Sequence, residues 1–295
     1  MRSGSVNPPA DVTAATEVIA ILGSPIKQAM SPSIHNASFR QLGIDCVCIG
    51  ADVLPDKVEA AVAGARAMGM AGLIVTMPDK AEVIKHLDGL SPAAELMGAV
   101  NIIVREGDRF IGHNTDGAGF MRAVAEAGID MAGQKMTLIG TGGAGSAIST
   151  QAALDGVSEL SVFNLVDAFF EPAAQRLAEL AERTGARVKL YDLADSDELA
   201  RQIADSRLVV DATKAGMAPL IDHSNIEAAW LRPGLAVADT VYVPRETKLL
   251  KLADQAGATP ISGLGMLLWQ AALAEKLWFD VDMSVPYIEE LFFSS

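Results

Sequence analysis

Cysteine is almost absent: Cys46 and Cys48 are the only two among 295 residues. Two thiols one residue apart point to the same face of a strand and are too close in sequence to staple a fold, so no disulfide framework supports this one. They read as small buried thiols, and no second Cys or His pair stands at ligand spacing to complete a metal site. Long apolar runs are missing too. None approaches the roughly 18 residues of a membrane span, and Met1 to Thr16 lacks the apolar core of a signal peptide, so a flexible extension and a cytoplasmic protein are expected. Basic residues are outnumbered, 23 Lys and Arg against 37 Asp and Glu, for a net charge of −14. Without a Lys/Arg cluster there is no phosphate-binding surface, which excludes nucleic acid as a partner.

What the sequence does have is a stretch organised by glycine. The apolar run from Met136 to Ile139 meets Gly140, Gly142 and Gly145 in G-x-G-x-x-G spacing; a helix-compatible segment continues to Asp155, and a second apolar run covers Leu160 to Phe163. The first glycine permits a tight turn, the second lets backbone approach a pyrophosphate, and the third lets helix and strand pack closely. The diphosphate would sit on unpaired N–H groups at the positive end of the helix dipole. Gly140, Thr141, Gly142, Gly143, Ala144 and Gly145 are therefore candidate cofactor-binding residues; the alternative is a plain strand-to-helix turn.

Strand and helix patterns alternate on both sides of that unit. Before it, strands are expected at 18–22, 45–49 and 72–75, and helices at 31–42 (Ser31 as cap, Pro32 at its first position), 56–68 and 78–87. A hairpin of 100–105 and 109–114 turns at Gly107, and a helix follows at 118–127. After it come helix 172–184, strand 187–190, helix 195–204, strand 208–211, an apolar run 236–241, and helices 264–279 and 285–293, whose aromatic residues are expected in the core of the first domain. Alternation of this kind implies an α/β fold with a mostly parallel sheet in each half. The length suits about two domains. Residues 17–117, completed by 266–295, are expected to form a substrate-binding domain, and residues 118–265 a Rossmann-type dinucleotide-binding domain, after the extension 1–16. The cleft between them is where cofactor would meet substrate.

The catalytic groups must come from outside the glycine turn. Thr76-Met77-Pro78-Asp79-Lys80 places a lysine at the start of an expected helix, where a cation opposes the dipole; read alone, it is a surface side chain. Asn114-Thr115-Asp116-Gly117 places a carboxylate in a polar turn after a strand; read alone, it is a helix cap.

Taken in order, Ser31-Pro32, Val75-Thr76-Met77-Pro78-Asp79-Lys80, Gly98-Ala99-Val100-Asn101, Asn114-Thr115-Asp116-Gly117, the glycine turn and Gly263-Leu264-Gly265-Met266-Leu267 resemble the motifs of shikimate dehydrogenases, from about residue 17 to the C-terminus. Asn164 with Asp167, Phe169 and Phe170, Thr213-Lys214-Ala215-Gly216-Met217, and the run from Gly265 to Gln270 are most similar to the quinate/shikimate branch. The resemblance implies reversible hydride transfer between a nicotinamide and a ring hydroxyl of shikimate or quinate, giving the 3-dehydro ketone. It makes Lys80 the acid/base and Asp116 its partner. It assigns Ser31, Ser33, Thr76, Asn101, Tyr242 and Gln270 to the substrate, and Asn164, Asp167, Thr213, Lys214, Gly263 and Met266 to the cofactor. Quinate-type relatives imply a homodimer. The chemistry is consistent, because an alcohol losing hydride must also lose its O–H proton to a group within hydrogen-bond reach.

Two further expectations follow. Leu165 stands where the family's NADP users carry arginine, and Asp167 would repel a 2′-phosphate and accept from a 2′-hydroxyl, so NAD is favoured over NADP; the alternative is that Asp167 only caps the next helix. Ala29 and Ile74 replace a serine and an asparagine common in the family. Losing one hydroxyl to a carboxylate is worth about 1.5–3 kcal/mol, which leaves a different cyclic hydroxy acid, such as an amino-substituted relative, as the rival substrate. A sensor that binds NAD or quinate without turnover is the rival outside the enzyme class.

Overall fold

The run Gly72–Val75 is apolar without interruption and buried at every residue, as expected of a strand covered on both faces. In the computed structural model, which describes residues 12–294, it lies inside a six-stranded sheet. The elements of this first part are β1 (Glu17–Gly23), α1 (Ser31–Leu42), β2 (Cys46–Asp52), α2 (Val58–Ala67), β3 (Gly72–Val75), β4 (Gly89–Leu90), α3 (Pro92–Met97), β5 (Ile102–Glu106) and β6 (Arg109–His113). The sheet order is β2-β1-β3-β5-β6-β4. β1 pairs in parallel with β2 and β3, and β4 with β6, while β3–β5 and β5–β6 are antiparallel. Leu73 and Val75 pack with Ala20, Leu22 and Phe110 on one face, and Ile74 packs with Ile19, Ile21 and Phe39 on the other. Each such large apolar side chain contributes about 1.5–3 kcal/mol by leaving water.

The described residues up to Thr115 and those from Ala271 onward form one compact unit, and Asp116–Gln270 form a second. The second unit contains α4 (Asp116–Glu126), β7 (Lys135–Ile139), α5 (Gly143–Leu154), β8 (Glu159–Asn164), α6 (Phe170–Thr184), β9 (Arg187–Asp192), α7 (Ser196–Ala204), β10 (Leu208–Asp211), β11 (Ala236–Asp239), α8 (Lys248–Gln255), β12 (Thr259–Ser262) and the start of α9 (Gly263–Phe279), which is followed by α10 (Val285–Phe293). Its sheet is wholly parallel in the order β12-β11-β10-β7-β8-β9. Numbered from β7, that is the 3-2-1-4-5-6 order of dinucleotide-binding folds, whose crevice lies where the order reverses, here between β7 and β10.

Several sequence expectations are corrected. No α-helix follows Pro78: residues 77–81 form turns ahead of a short 3₁₀ segment, Glu82–His86. The Lys80 carbonyl accepts the N–H of Val100 at 2.8 Å, so it is not available to a helical partner four residues on. Ser31 is not a cap either; it already belongs to the helix, and the cap position is Met30, with no side-chain bond. Trp269 lies in the second unit with the Arg122 guanidinium 4.9 Å above its ring. Trp278 does close the first unit, donating its indole N–H to the Ile103 carbonyl at 3.0 Å. α3, α8, β4 and β12 were not anticipated; α3 and α8 carry side-chain caps, Ser91 accepting from Ala94 N–H and Thr247 from Leu250 N–H. Most of the expected extension 1–16 lies outside the described residues; within it Thr13 N–H donates to Thr16 Oγ1 at 2.9 Å.

α9 and α1 are joined by a wholly buried polar cluster. Glu275 bonds His35 Nδ1 at 2.8 Å through one oxygen and accepts the Ser38 hydroxyl at 2.6 Å through the other. Cys46 and Cys48 are free thiols, both pushed up to about 12, chiefly by burial, and at neutral pH they are unreactive.

Candidate active site

In the first unit, candidate substrate residues gather at one end of the sheet. Thr76 follows β3 and donates its N–H to the Leu22 carbonyl at 2.9 Å. Gly23 makes room for it: a Cβ there would stand 2.4 Å from the Thr76 methyl. Val75 N–H bonds the Asn101 carbonyl at 2.8 Å, and Asn101 N–H bonds the His113 carbonyl at 3.0 Å. Backbone bonds thus tie Thr76, Lys80 and Asn101 to the ends of β3, β5 and β6. Lys80 is half-buried; Ser31 is half-buried and Ser33 exposed in the first turn of α1.

Asn101 is 2% exposed, and its amide is directed at Thr115. Beside Lys80, Asp79 is buried, and burial, followed by the charge of Glu82, holds its carboxyl above the usual range. Its Oδ2 and the Nε2 of His113 are the buried side-chain atoms without a hydrogen-bond partner among the described residues. Burial lowers the pKa of His113, which favours its neutral form. Asp79 and His113 escaped the sequence reading because neither stands in a spacing that signals chemistry. Ile74 is core, 5% exposed among Ile19, Ile21 and Phe39, so its side chain serves packing.

In the second unit, Asp116 opens α4. Two glycines press that helix between its neighbours: a Cβ on Gly117 would meet the Ala147 carbonyl of α5 at 2.2 Å, and one on Gly119 the Gln270 nitrogen of α9 at 2.5 Å. Close backbone approach is what glycine permits, and here it brings the helix of Asp116 against Gln270. Gln270 Nε2 donates to the Leu267 carbonyl at 3.0 Å. Gly263 approaches Thr240 in the same way, its Cβ position 2.3 Å from that carbonyl. Met266 is half-buried one turn on, and Tyr242 is exposed after β11.

The glycine turn has the geometry the spacing predicts. Gly140 adopts φ +99°, and a Cβ on Gly145 would lie 2.0 Å from the Gly140 carbonyl. Gly142 caps α5 without a side-chain bond, and Cβ atoms on Gly142 or Gly143 would meet nothing within 4 Å. Open space at a glycine-lined helix N-terminus fits the diphosphate of a dinucleotide. Thr141 N–H bonds Asn164 Oδ1 at 3.3 Å, and Asn164 Nδ2 donates to the Leu165 carbonyl at 2.9 Å, so the Asn164 amide braces the turn. Lys214 is exposed at the end of β10. Thr213 has no hydroxyl capacity left: it donates to Asp211 Oδ1 at 2.7 Å and accepts from Ala215 N–H at 3.1 Å and Asn225 Nδ2 at 3.0 Å, which exhausts one donor and two lone pairs.

Residues 21–103 match the shikimate dehydrogenase substrate binding domain, and residues 263–291 the shikimate 5′-dehydrogenase C-terminal domain. A curated relative named shikimate dehydrogenase (NADP(+)), from Listeria monocytogenes serotype 4b, is 43% identical over 96% of this chain and 97% of its own. One of the same name from Streptococcus uberis is 44% identical over 95% and 96%. The crystal structure of shikimate 5-dehydrogenase from Listeria monocytogenes in complex with shikimate and NAD superposes with a TM-score of 0.94 at 43% identity, covering 96% of this chain and 99% of that one. The curated names overturn the expectation of NAD and point to NADP. The physical reason is at Asp167: its Oδ1 accepts the Phe169 N–H at 2.9 Å, capping the turn before α6, so the carboxylate that argued against a 2′-phosphate has a local structural task.

Proposed function

This chain belongs to the shikimate dehydrogenase family, and we propose that it catalyses the reversible, NADP-dependent oxidation of a ring hydroxyl of shikimate to the 3-dehydro ketone. The observation that carries the reading is the fixed placement of Lys80 and Asn101 at one end of the first sheet, the Lys80 carbonyl 2.8 Å from Val100 N–H, in a chain 43% identical to a shikimate dehydrogenase over nearly its whole length.

When bound, the nicotinamide supplies the hydride acceptor. The protein's own residues handle the proton. Lys80 Nζ takes the proton of the reacting hydroxyl and returns it to the forming alkoxide in the reverse direction. Asp116 orients the ammonium and holds neighbouring hydroxyls, and Thr76, Asn101, Tyr242 and Gln270 supply the donors and acceptors a polyol acid needs. Ser31 and Ser33, at the first turn of α1, receive the carboxylate. Around the cofactor, the N–H groups of the glycine turn take the diphosphate, with Lys214, Gly263 and Met266 beside the crevice and Asn164 bracing the turn. Residues up to Asp116 and from Met266 onward serve the substrate, and those from Ala118 to Gly265 the cofactor.

The test is initial-rate formation of reduced cofactor by the purified protein, with NADP and NAD each paired with shikimate and with quinate. Turnover highest with NADP and shikimate supports the proposal. Turnover confined to quinate reassigns the substrate, and cofactor binding without turnover on either acid removes the dehydrogenase reading.

A further inference from the structure

The long loop that follows β10 is tied back to its own strand by a polar knot. Asp211 ends β10 and is 1% exposed. Its Oδ1 accepts both the N–H of Thr213 at 2.9 Å and the Thr213 hydroxyl at 2.7 Å; its Oδ2 accepts from Asn225 Nδ2 at 3.0 Å. The same Asn225 nitrogen donates to Thr213 Oγ1 at 3.0 Å. One residue on, Ile226 is sunk in the core with Phe163, Val209 and Val237, so the far end of the loop is anchored by a polar and an apolar residue in succession.

What the knot holds in place is a wall of the crevice. An ideal Cβ on Gly140 would stand 3.1 Å from the Thr213 methyl and 3.1 Å from the Ala212 carbonyl; the methyl therefore closes on the glycine turn where β7 and β10 lie side by side. We propose that Asp211 and Asn225 are positioning residues for the nicotinamide cofactor, locking Thr213 so that its methyl and backbone, and not its hydroxyl, form the wall opposite Gly140. The inference rests on the dehydrogenase reading above. Burial holds the Asp211 carboxyl above the usual range, and the charged groups acting on it are His223, which favours its ionised form, and Asp239 at the end of the neighbouring strand.

The test replaces Asn225 and measures NADP affinity by calorimetry on the full-length protein at pH 6 and pH 8.5. Asn225→Asp sets a second carboxylate against Asp211, and a like charge at that range raises one of the two pKa values so that the pair shares a proton at the lower pH. The dissociation constant, relative to wild type at the same pH, is expected to rise about tenfold at pH 8.5 and about threefold at pH 6, with the shikimate KM unchanged. Taking the ratio cancels the titration of His223, Asp239 and the nucleotide phosphate. Asn225→Ala should weaken NADP about fivefold at both pH values, and it carries the test if the Asp variant does not fold. Ratios near one for folded variants, or a lowered melting temperature with unchanged affinity, would overturn the inference and leave the knot merely structural. A pH-independent loss in Asn225→Asp equal to that in Asn225→Ala would make Asn225 a direct contact, which also overturns it. Failure of the wild type to bind NADP would sink the proposed function itself, and this inference with it.

Discussion

Asn101 and Thr115 hold each other twice: the Asn101 side-chain oxygen accepts the Thr115 N–H at 2.8 Å, and its amide nitrogen donates to the Thr115 hydroxyl at 3.0 Å. Asn101→Ala strands a buried N–H and a buried hydroxyl. The expected cost is about 2–3 kcal/mol in urea unfolding, with a raised shikimate KM and an unchanged NADP KM. An unaltered unfolding midpoint would show that the pair does not contribute to stability.

Lys80 is held by its carbonyl, while the proposed chemistry belongs to its ammonium nitrogen. Lys80→Met keeps the backbone bond to Val100 and removes the acid/base. We expect kcat to fall by about 10²–10⁴-fold, with the melting temperature and NADP affinity close to wild type. A kcat near wild type would take Lys80 out of the mechanism.

Gly145 has no room for a methyl group, its Cβ position lying 2.0 Å from the Gly140 carbonyl. Gly145→Ala must push the glycine turn away from α5. Loss of NADP binding and a lowered melting temperature are expected, whereas Gly143→Ala, where a Cβ meets nothing within 4 Å of protein, should leave stability nearly unchanged. The comparison is read by calorimetry with NADP and by thermal unfolding; equal melting temperatures for the two variants would contradict the close packing.

Asp239, at the end of β11, is pushed up to about 6 by burial, opposed by bonds from Thr247 and Val241. Because its folded value lies above the unfolded one, the native state binds more protons between pH 4 and 6, and stability falls as pH rises through that window. The penalty is complete above pH 6 and is on the order of 2–3 kcal/mol. Asp239→Asn should therefore gain on the wild type between pH 4 and pH 7 in urea midpoints, and a constant difference across that range would refute the assignment.

Glu275 satisfies two buried partners at once, His35 and Ser38. Glu275→Leu leaves both without it and should cost about 3–5 kcal/mol. Equal stability of that variant would mean that the cluster relaxes without loss.

The parallel sheet of the second unit was legible because each strand is a continuous apolar run beside a glycine or an acidic turn. Leu208–Asp211 and Val285–Phe293 even have the expected bounds. The segment after Pro78 was misread because its deciding bond, Val100 to the Lys80 carbonyl, joins residues twenty apart and leaves no local pattern. Asp79, His113, Asp211 and Asn225 were invisible as a group for the same reason: their significance lies in burial and in partners supplied by other strands and loops. The cofactor expectation failed on Asp167, where a carboxylate in a polar turn could serve a ribose or a helix start, and sequence alone did not separate the two. Helix 264–279 was read as amphipathic, yet its Trp269 and Trp278 divide between the two units.

The β5–β6 hairpin brings Asn101, just before its first strand, and Asn114 and Thr115, just after its second, to the same open end. Its pairing runs from Ile102 opposite His113 to Glu106 opposite Arg109, closed by Gly107 at φ +63°. The two arms act as a ruler read from the closed end: residues added at the Gly107-Asp108 tip lengthen neither arm and leave every pair in register. That tip is accordingly a permissive port for an inserted epitope or fluorophore, whereas a single added residue within either arm would turn the remainder of that strand over and carry Asn101 away from Thr115.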